Sequence, residues 1–260
     1  MHVASAQADS SFPGFVPLSS SLSRAALHEF YAAAGADAPG ITGVALAFAL
    51  LAAGLRPILW VRHDLIDHEA GIPYAPGLVE FGIDPARLIF VRARDAQAAL
   101  QAGLDGARCV ALGAVVIEIQ GEVKALDLTA SRRLALAAQV SGTPVLLART
   151  VAHPQPSAAE TRWLVSSVPS PALAANAPGH PAFSLSLLRH RSGHPPGEWH
   201  LEWNRDRACF EERAANGTTA PRNGCAQPLS LGVVPLSFHR PGNKAAALPK
   251  AACFSKAACS

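Results

Sequence analysis

Gly40, Thr42, Gly43 and Glu118 have the types and the order that phosphoryl-transfer chemistry uses. In a nucleoside triphosphatase, a glycine loop between a strand and a helix cradles phosphates on its backbone N–H groups. A lysine there meets the β/γ charge, a hydroxyl holds Mg²⁺, and an acid ending a neighbouring strand serves the metal. Gly35, Gly40 and Gly43 keep the flexibility of such a loop and Thr42 keeps the hydroxyl, but no Lys or Arg stands between Arg24 and Arg56. A helix N-terminus alone supplies only about half a positive charge, which is small against a triphosphate. These positions are therefore read as a vestigial nucleotide site. Glu118 is either a remnant metal acid or a strand-end acid facing a loop, and Thr42 either a remnant Mg²⁺ ligand or a helix N-cap.

The elements that must position these residues alternate along the chain. Residues 25–31 (AALHEFY) read as a strand, residues 32–43 as the glycine loop, and residues 44–53 (VALAFALLAA) as an apolar helix. A second strand at 56–61 leads into a polar loop, 62–73, and a short helix, 74–81. Strands follow at 87–92, 114–119 and 144–149, separated by a helix that Asp95 caps and by another over 130–140 that ends at Gly142. Short, continuously apolar strands between helices predict a mostly parallel sheet covered on both faces. Residues 161–167, 182–191, 198–204 and 208–213 instead alternate apolar and polar side chains, which predicts an antiparallel meander extending that sheet. The expected organisation is a flexible stretch over residues 1–21, an α/β domain over 22–213, and a disordered tail over 214–260.

Composition narrows the function classes. The chain has 260 residues, half of them apolar, and a net charge of +3. Residues 214–260 hold Arg222, Arg240, Lys244, Lys250 and Lys256 and no acid, a balance suited to weak, salt-sensitive attraction to nucleic acid or to an acidic partner. The longest apolar run, residues 43–55, is shorter than the roughly 18–20 residues a membrane span needs, and the N-terminus lacks the basic-then-apolar pattern of a signal peptide. Five cysteines without a C-x-x-C pair fit a reducing, cytoplasmic setting. His190, His194 and His200 have no Cys or carboxylate pattern to complete a metal site and read as turn histidines. No G-x-S-x-G elbow and no H-E-x-x-H motif occurs. No catalytic residue, cofactor or metal is assigned.

The order of these elements, with a glycine loop after the first strand and an acid ending AVVIE, resembles the RecA-type ATPase core. Six segments are more specific: LHE (27–29), YAPGL (74–78), GIDPARLIFVRAR (82–94), LDLTASRRL (126–134), SAAETRW (157–163) and GEWHLEW (197–203). In this order they resemble the ImuA family of bacterial inducible-mutagenesis proteins, RecA/SulA-like relatives, over about residues 22–213. The resemblance implies a RecA-like sheet and a non-catalytic accessory factor of translesion DNA synthesis in the SOS response. It further implies contact with RecA, with an ImuB-type polymerase-like protein and, indirectly, with an error-prone replicative-type DNA polymerase. The loops at 120–125 and 150–157 are shorter than the DNA-binding loops RecA carries, so strand exchange is not expected.

A protein that works by docking favours arginine and aromatic residues at its interfaces. The partner-binding candidates are Arg132 and Arg133 on the fourth helix, with Arg189, Arg191 and Trp199 on the meander. Each also has a plainer reading, a solvated helix face for the arginines and sheet packing for Trp163, Trp199 and Trp203. Two other functions fit the same residues: a SulA-like cell-division inhibitor, and an ATPase that recruits its cation from elsewhere or from a neighbouring subunit.

Overall fold

A computed structural model describes Leu22 and residues 25–213, all within one unit of the chain, Met1–Gly224. The expectations for residues 1–21 and 214–260 lie outside the described residues. Nine strands form one sheet: β1 (Leu27–Ala32), β2 (Ile58–His63), β3 (Leu88–Ala93), β4 (Ala114–Gln120), β5 (Val145–Thr150), β6 (Thr161–Val168), β7 (Ala182–His190), β8 (Gly197–Asn204) and β9 (Cys209–Glu212). Their order is β3-β2-β4-β5-β1-β6-β7-β8-β9. The first six of these are mutually parallel, and β6 through β9 pair antiparallel. The mixed sheet expected from the two apolar patterns is what forms. β6 does double duty, parallel to β1 on one side and opening the meander on the other.

Among the described residues, five helices of more than one turn accompany the sheet: α1 (Ala38–Ala53), α2 (Asp64–Ala70), α3 (Ala75–Glu80), α4 (Ala96–Ala107) and α5 (Leu128–Ser141). One face of the sheet packs on α1, in a core that joins Phe30, Trp60, Val116, Leu146 and Trp163 to Phe183, Leu185, Leu201 and Trp203 of the meander. Phe48 of α1 links the two halves, its ring 5.8 Å from Phe30 and 4.9 Å from Phe210. The other face, with Leu59, Val61, Val115, Ile117, Val145 and Leu147, packs on α4 and α5. Asp95 and Asp127 start those helices by accepting from the N–H groups of Ala98 and Ala130, each at 2.7 Å. Gly142 closes α5 with φ +78°, a left-handed conformation that glycine adopts without penalty.

Two local expectations are corrected. The helix expected over 44–53 begins at Ala38, because Pro39 in its first turn has the fixed φ and missing N–H that suit a helix start. Most of the presumed glycine loop is therefore helix, and Thr42 is not an N-cap. The presumed polar loop 62–73 contains the last residues of β2 and all of α2, a short helix whose polar composition lacks apolar periodicity. The helical stretch Gly35–Ala53 is by length and composition able to span a bilayer, unlike the shorter run read from sequence. Ile41, Val44–Ala49 and Ala53 are buried against the sheet, so it serves as the core helix.

Small residues set how closely α1 approaches the sheet. A Cβ at Gly113, just before β4, would stand 2.5 Å from the Cβ and 2.6 Å from the Cα of Ala53. The obstacle includes backbone, which cannot rotate away. Gly113→Ala is expected to lower the unfolding free energy by about 1–3 kcal/mol, as overpacked cores do. Urea denaturation with an unchanged m-value checks this, and an unaltered midpoint would contradict the close approach.

Candidate functional site

The vestigial positions converge at the carboxyl ends of β2 and β4, where ligands bind in open α/β sheets. Residues 58–62 of β2 pair in register with 114–118 of β4, so Arg62 stands beside Glu118. Alternation along the strands turns both side chains toward α1, as it does Trp60 and Val116. Thr42 reaches them from the second turn of α1.

A hydrogen bond joins Thr42 to Glu118, and ion pairs join Arg62 to Glu118 and Asp67, while Arg62 Nε, Glu118 Oε2 and both Asp67 carboxylate oxygens stay outside hydrogen-bond geometry. The Thr42 hydroxyl donates a short hydrogen bond to Glu118 Oε1. The other carboxylate oxygen, Oε2, lies 3.0 Å from Arg62 Nε. Arg62 Nη1 is 3.1 Å from Asp67 Oδ1 on α2 and donates to the Gly71 carbonyl at 3.0 Å. Arg92 on β3 continues the chain, 2.6 Å from Asp67 Oδ2 and 2.5 Å from Asp64 Oδ1. The side chains of Arg62, Asp67 and Glu118 are only 7, 3 and 1% exposed. Burial pushes the Glu118 carboxyl up from its ordinary value, while the Thr42 hydrogen bond and the Arg62 charge pull it back. In a triphosphatase the corresponding hydroxyl and acid face a hydrated Mg²⁺. Here they face each other and an arginine.

The glycines have a packing role. A Cβ on Gly40 would come within 2.6 Å of Ser167 Oγ, and one on Gly43 would sit 3.5 Å from the Phe183 ring. Gly40 lets α1 lie close against β6, whereas a Cβ at Gly43 would make only an ordinary contact with Phe183 of β7. The turn before α1 is tied down by Asp37, which accepts from the Ser167 N–H at 2.8 Å and from the Ala34 N–H at 3.0 Å. A carboxylate thus stands at the helix N-terminus where a phosphate would take advantage of the dipole. Gly40, Thr42 and Gly43 line a cleft of about 900 Å³ walled by Leu46, Trp60, Phe81 and Phe183, and among the described residues Arg62 is the sole Lys or Arg in that lining. With Arg62 committed to two carboxylates, the cleft suits apolar matter better than phosphate.

A second polar cluster lies on the opposite face, at the ends of β1, β5 and β6. Tyr31 sits between two guanidinium groups, with Arg149 and Arg162 each 5.9 Å from its ring centre. Arg162 pairs with the buried Glu29 at 3.0 Å and donates to Ser157 Oγ at 2.9 Å. Arg149 donates to the Gly121 carbonyl at 3.0 Å. Glu122 draws together the loops after β4 and β5 by accepting from the His153 N–H at 2.7 Å and from Gln155 at 2.8 Å. The His153 N–H holds its carboxyl below the ordinary range.

The partner-binding candidates do not form one surface. Arg132 and Arg133 are exposed on α5, on the face of the sheet away from α1. Arg189 and Arg191 are exposed at the end of β7, flanking the buried His190. Trp199 is half-buried and packs edge-on against Trp163 at 5.8 Å, joining the α1-side core. Trp163 and Trp203 are fully buried. Sequence reasoning missed Arg62, Asp67, Tyr31, Arg149 and Arg162. For Tyr31, Arg62 and Arg149 the visible signal was a charged or phenolic residue at the end of an apolar strand, whereas Asp67 lies on α2 and Arg162 near the start of β6.

Fold and site define a mixed α/β protein whose phosphate-loop position is filled by its own side chains. The chain is 36% identical over 158 residues to Protein ImuA of Caulobacter vibrioides strain NA1000 / CB15N, and equally to Protein ImuA of strain ATCC 19089 / CIP 103742 / CB 15. The match covers 56% of this chain and 59% of each relative, so the chain spans about three-fifths of the length of the curated relatives it matches. No model of a known protein family matches. The similarity supports an ImuA-like relationship.

Burial, then the neighbouring Glu29 charge, push the Tyr31 phenol up to about 12 against the partial relief the arginines provide. An unfolded phenol ionises near pH 10. Between those values the folded chain holds a proton the unfolded one has lost. The contribution is therefore fully present below about pH 10 and is lost as pH rises through about 12. Stability measured by denaturant across that window is expected to fall, and Tyr31→Phe to flatten the fall while removing the late step in tyrosinate absorbance. A Tyr31→Phe profile parallel to that of the unaltered protein would contradict the assignment.

Proposed function

We propose that this chain is an ImuA-type accessory protein of damage-induced mutagenesis that acts by binding rather than by catalysis. On this reading it is a cytoplasmic RecA-like domain whose nucleotide site has become a structural junction. Its partners are RecA and an ImuB-type polymerase-like protein, which in turn delivers an error-prone replicative-type polymerase. The observation that carries the reading is the engagement of Glu118 by the Thr42 hydroxyl on one oxygen and by the Arg62 charge beside the other. A metal-binding acid is of no use to phosphoryl transfer when an arginine holds one oxygen and a hydroxyl the other. The similarity to two ImuA proteins supports the assignment of the process. Arg132 and Arg133, and separately Arg189, Arg191 and Trp199, are the docking candidates, and the basic residues 214–260 would add weak attraction to DNA or an acidic partner.

Affinity capture of the full chain from DNA-damaged host cells, with the retained proteins identified, tests this proposal. RecA and a polymerase-like protein are the expected companions. Recovery of the division tubulin homologue in their place would overturn the reading in favour of a SulA-like inhibitor.

A further inference from the structure

Helix α5 has an apolar face on each side. Ser131, Leu134, Ala135 and Ala138 form the arc buried against the sheet. The opposite arc of a surface helix is ordinarily polar. Here it carries Leu136 and Val140, which are 55 and 89% exposed, while Leu128, 52% exposed, stands at the edge of the buried arc. Four residues advance a helix by one turn plus only about 40°. Leu128, Arg132, Leu136 and Val140 therefore form a stripe that winds about 120° around α5, from the edge of the buried arc at Leu128 to the outside at Val140, with the exposed Arg133 beside its outer end.

Two further observations point to an occupant. Neither Arg132 nor Arg133 has an acidic side chain within ion-pair distance among the described residues, although Arg62, Arg92, Arg149 and Arg162 all do. The nearest acid in sequence, Asp127, is engaged as the cap of α5. The helix is also held firmly: Ser131 Oγ accepts from the Ala158 N–H at 3.1 Å, and Ser141 Oγ donates to the Ala107 carbonyl at 2.6 Å. A rigid helix that shows an apolar stripe flanked by unpaired cations is preorganised for a complementary helix.

We infer that the outer face of α5 docks an acidic amphipathic helix of a partner protein, with apolar side chains at helical spacing on the stripe and carboxylates over Arg132 and Arg133. The inference rests on the accessory-protein reading and names the chemistry of the partner surface. Charge complementarity selects this occupant. A second copy packed α5 against α5 would gather four arginines without an acid. Nucleic acid would meet the cations with its phosphates but leave three aliphatic side chains against a polar backbone.

The test uses the full chain and a labelled synthetic helical peptide carrying leucines at helical spacing flanked by glutamates, followed by fluorescence anisotropy. Saturable binding is expected, weakened about tenfold or more when Arg132→Glu is combined with Arg133→Glu. The same variant should recover affinity for a peptide with lysines in place of the glutamates, while Leu136→Asp should weaken both pairings, with circular dichroism unchanged. If the charge reversal melts the fold, Val140→Lys at the exposed end of the stripe is the substitute, and it too should weaken binding. Absence of binding, an affinity indifferent to these substitutions, or displacement of the peptide by a short DNA duplex would each overturn the inference. Peptide binding is measured without RecA or a polymerase, so its failure is distinguishable from a failure of the capture experiment.

Discussion

A carboxylate buried in the middle of a sheet requires a cation in contact with it, and much of this structure follows from meeting that requirement. Desolvating an ion costs several kcal/mol, which only close pairing offsets. Glu118 obtains its pairing from Arg62, one strand away in register. Arg62 is itself nearly buried, so it engages Asp67, which brings α2 against the strand ends. Asp67 in turn holds Arg92 on the edge strand. The chain of charges ties β4, β2, α2 and β3 together, and Thr42 adds α1 to the set. Removing one member would strand a buried charge, so the junction resists piecemeal loss even though it performs no evident chemistry.

The same economy governs the rest of the presumed phosphate loop. Gly40 serves the approach of α1 to β6, and Asp37 fastens the preceding turn to β6. Flexibility in a loop and smallness in a helix contact call for the same residue for unrelated reasons. The cleft that remains is largely apolar, and its one guanidinium is already paired. On the opposite face, Tyr31, Arg149, Arg162 and Glu122 hold the loops after β4 and β5 in place. Two buried polar clusters thus fix the strand ends, one on each side of the sheet.

The layered architecture was legible because parallel strands buried on both faces read as continuous apolar runs, whereas the meander alternates. The helix cap at Asp95 and the helix end at Gly142 were legible for local reasons, a carboxylate placed to accept a free N–H and a glycine free to turn left-handed. The start of α1 was not, since Gly40 and Gly43 mimic a loop while Pro39 quietly begins a helix. Nor was α2, whose seven residues are too few and too polar to show a period. Glu118, Thr42 and the two glycines could be singled out, and the structure does bring them together. Arg62, the partner of Glu118, could not be foreseen, because pairing across strands depends on register, which adjacency in sequence does not reveal.

Titration calorimetry of the full chain with Mg²⁺·ATP measures the central claim directly. Because Arg62 and Thr42 occupy the Glu118 carboxylate and Asp37 stands at the N-terminus of α1, no saturable heat and no phosphate release are expected. Saturable, Mg²⁺-dependent binding that Thr42→Ala or Glu118→Gln weakens would contradict it, and would show the junction to be a nucleotide site that opens.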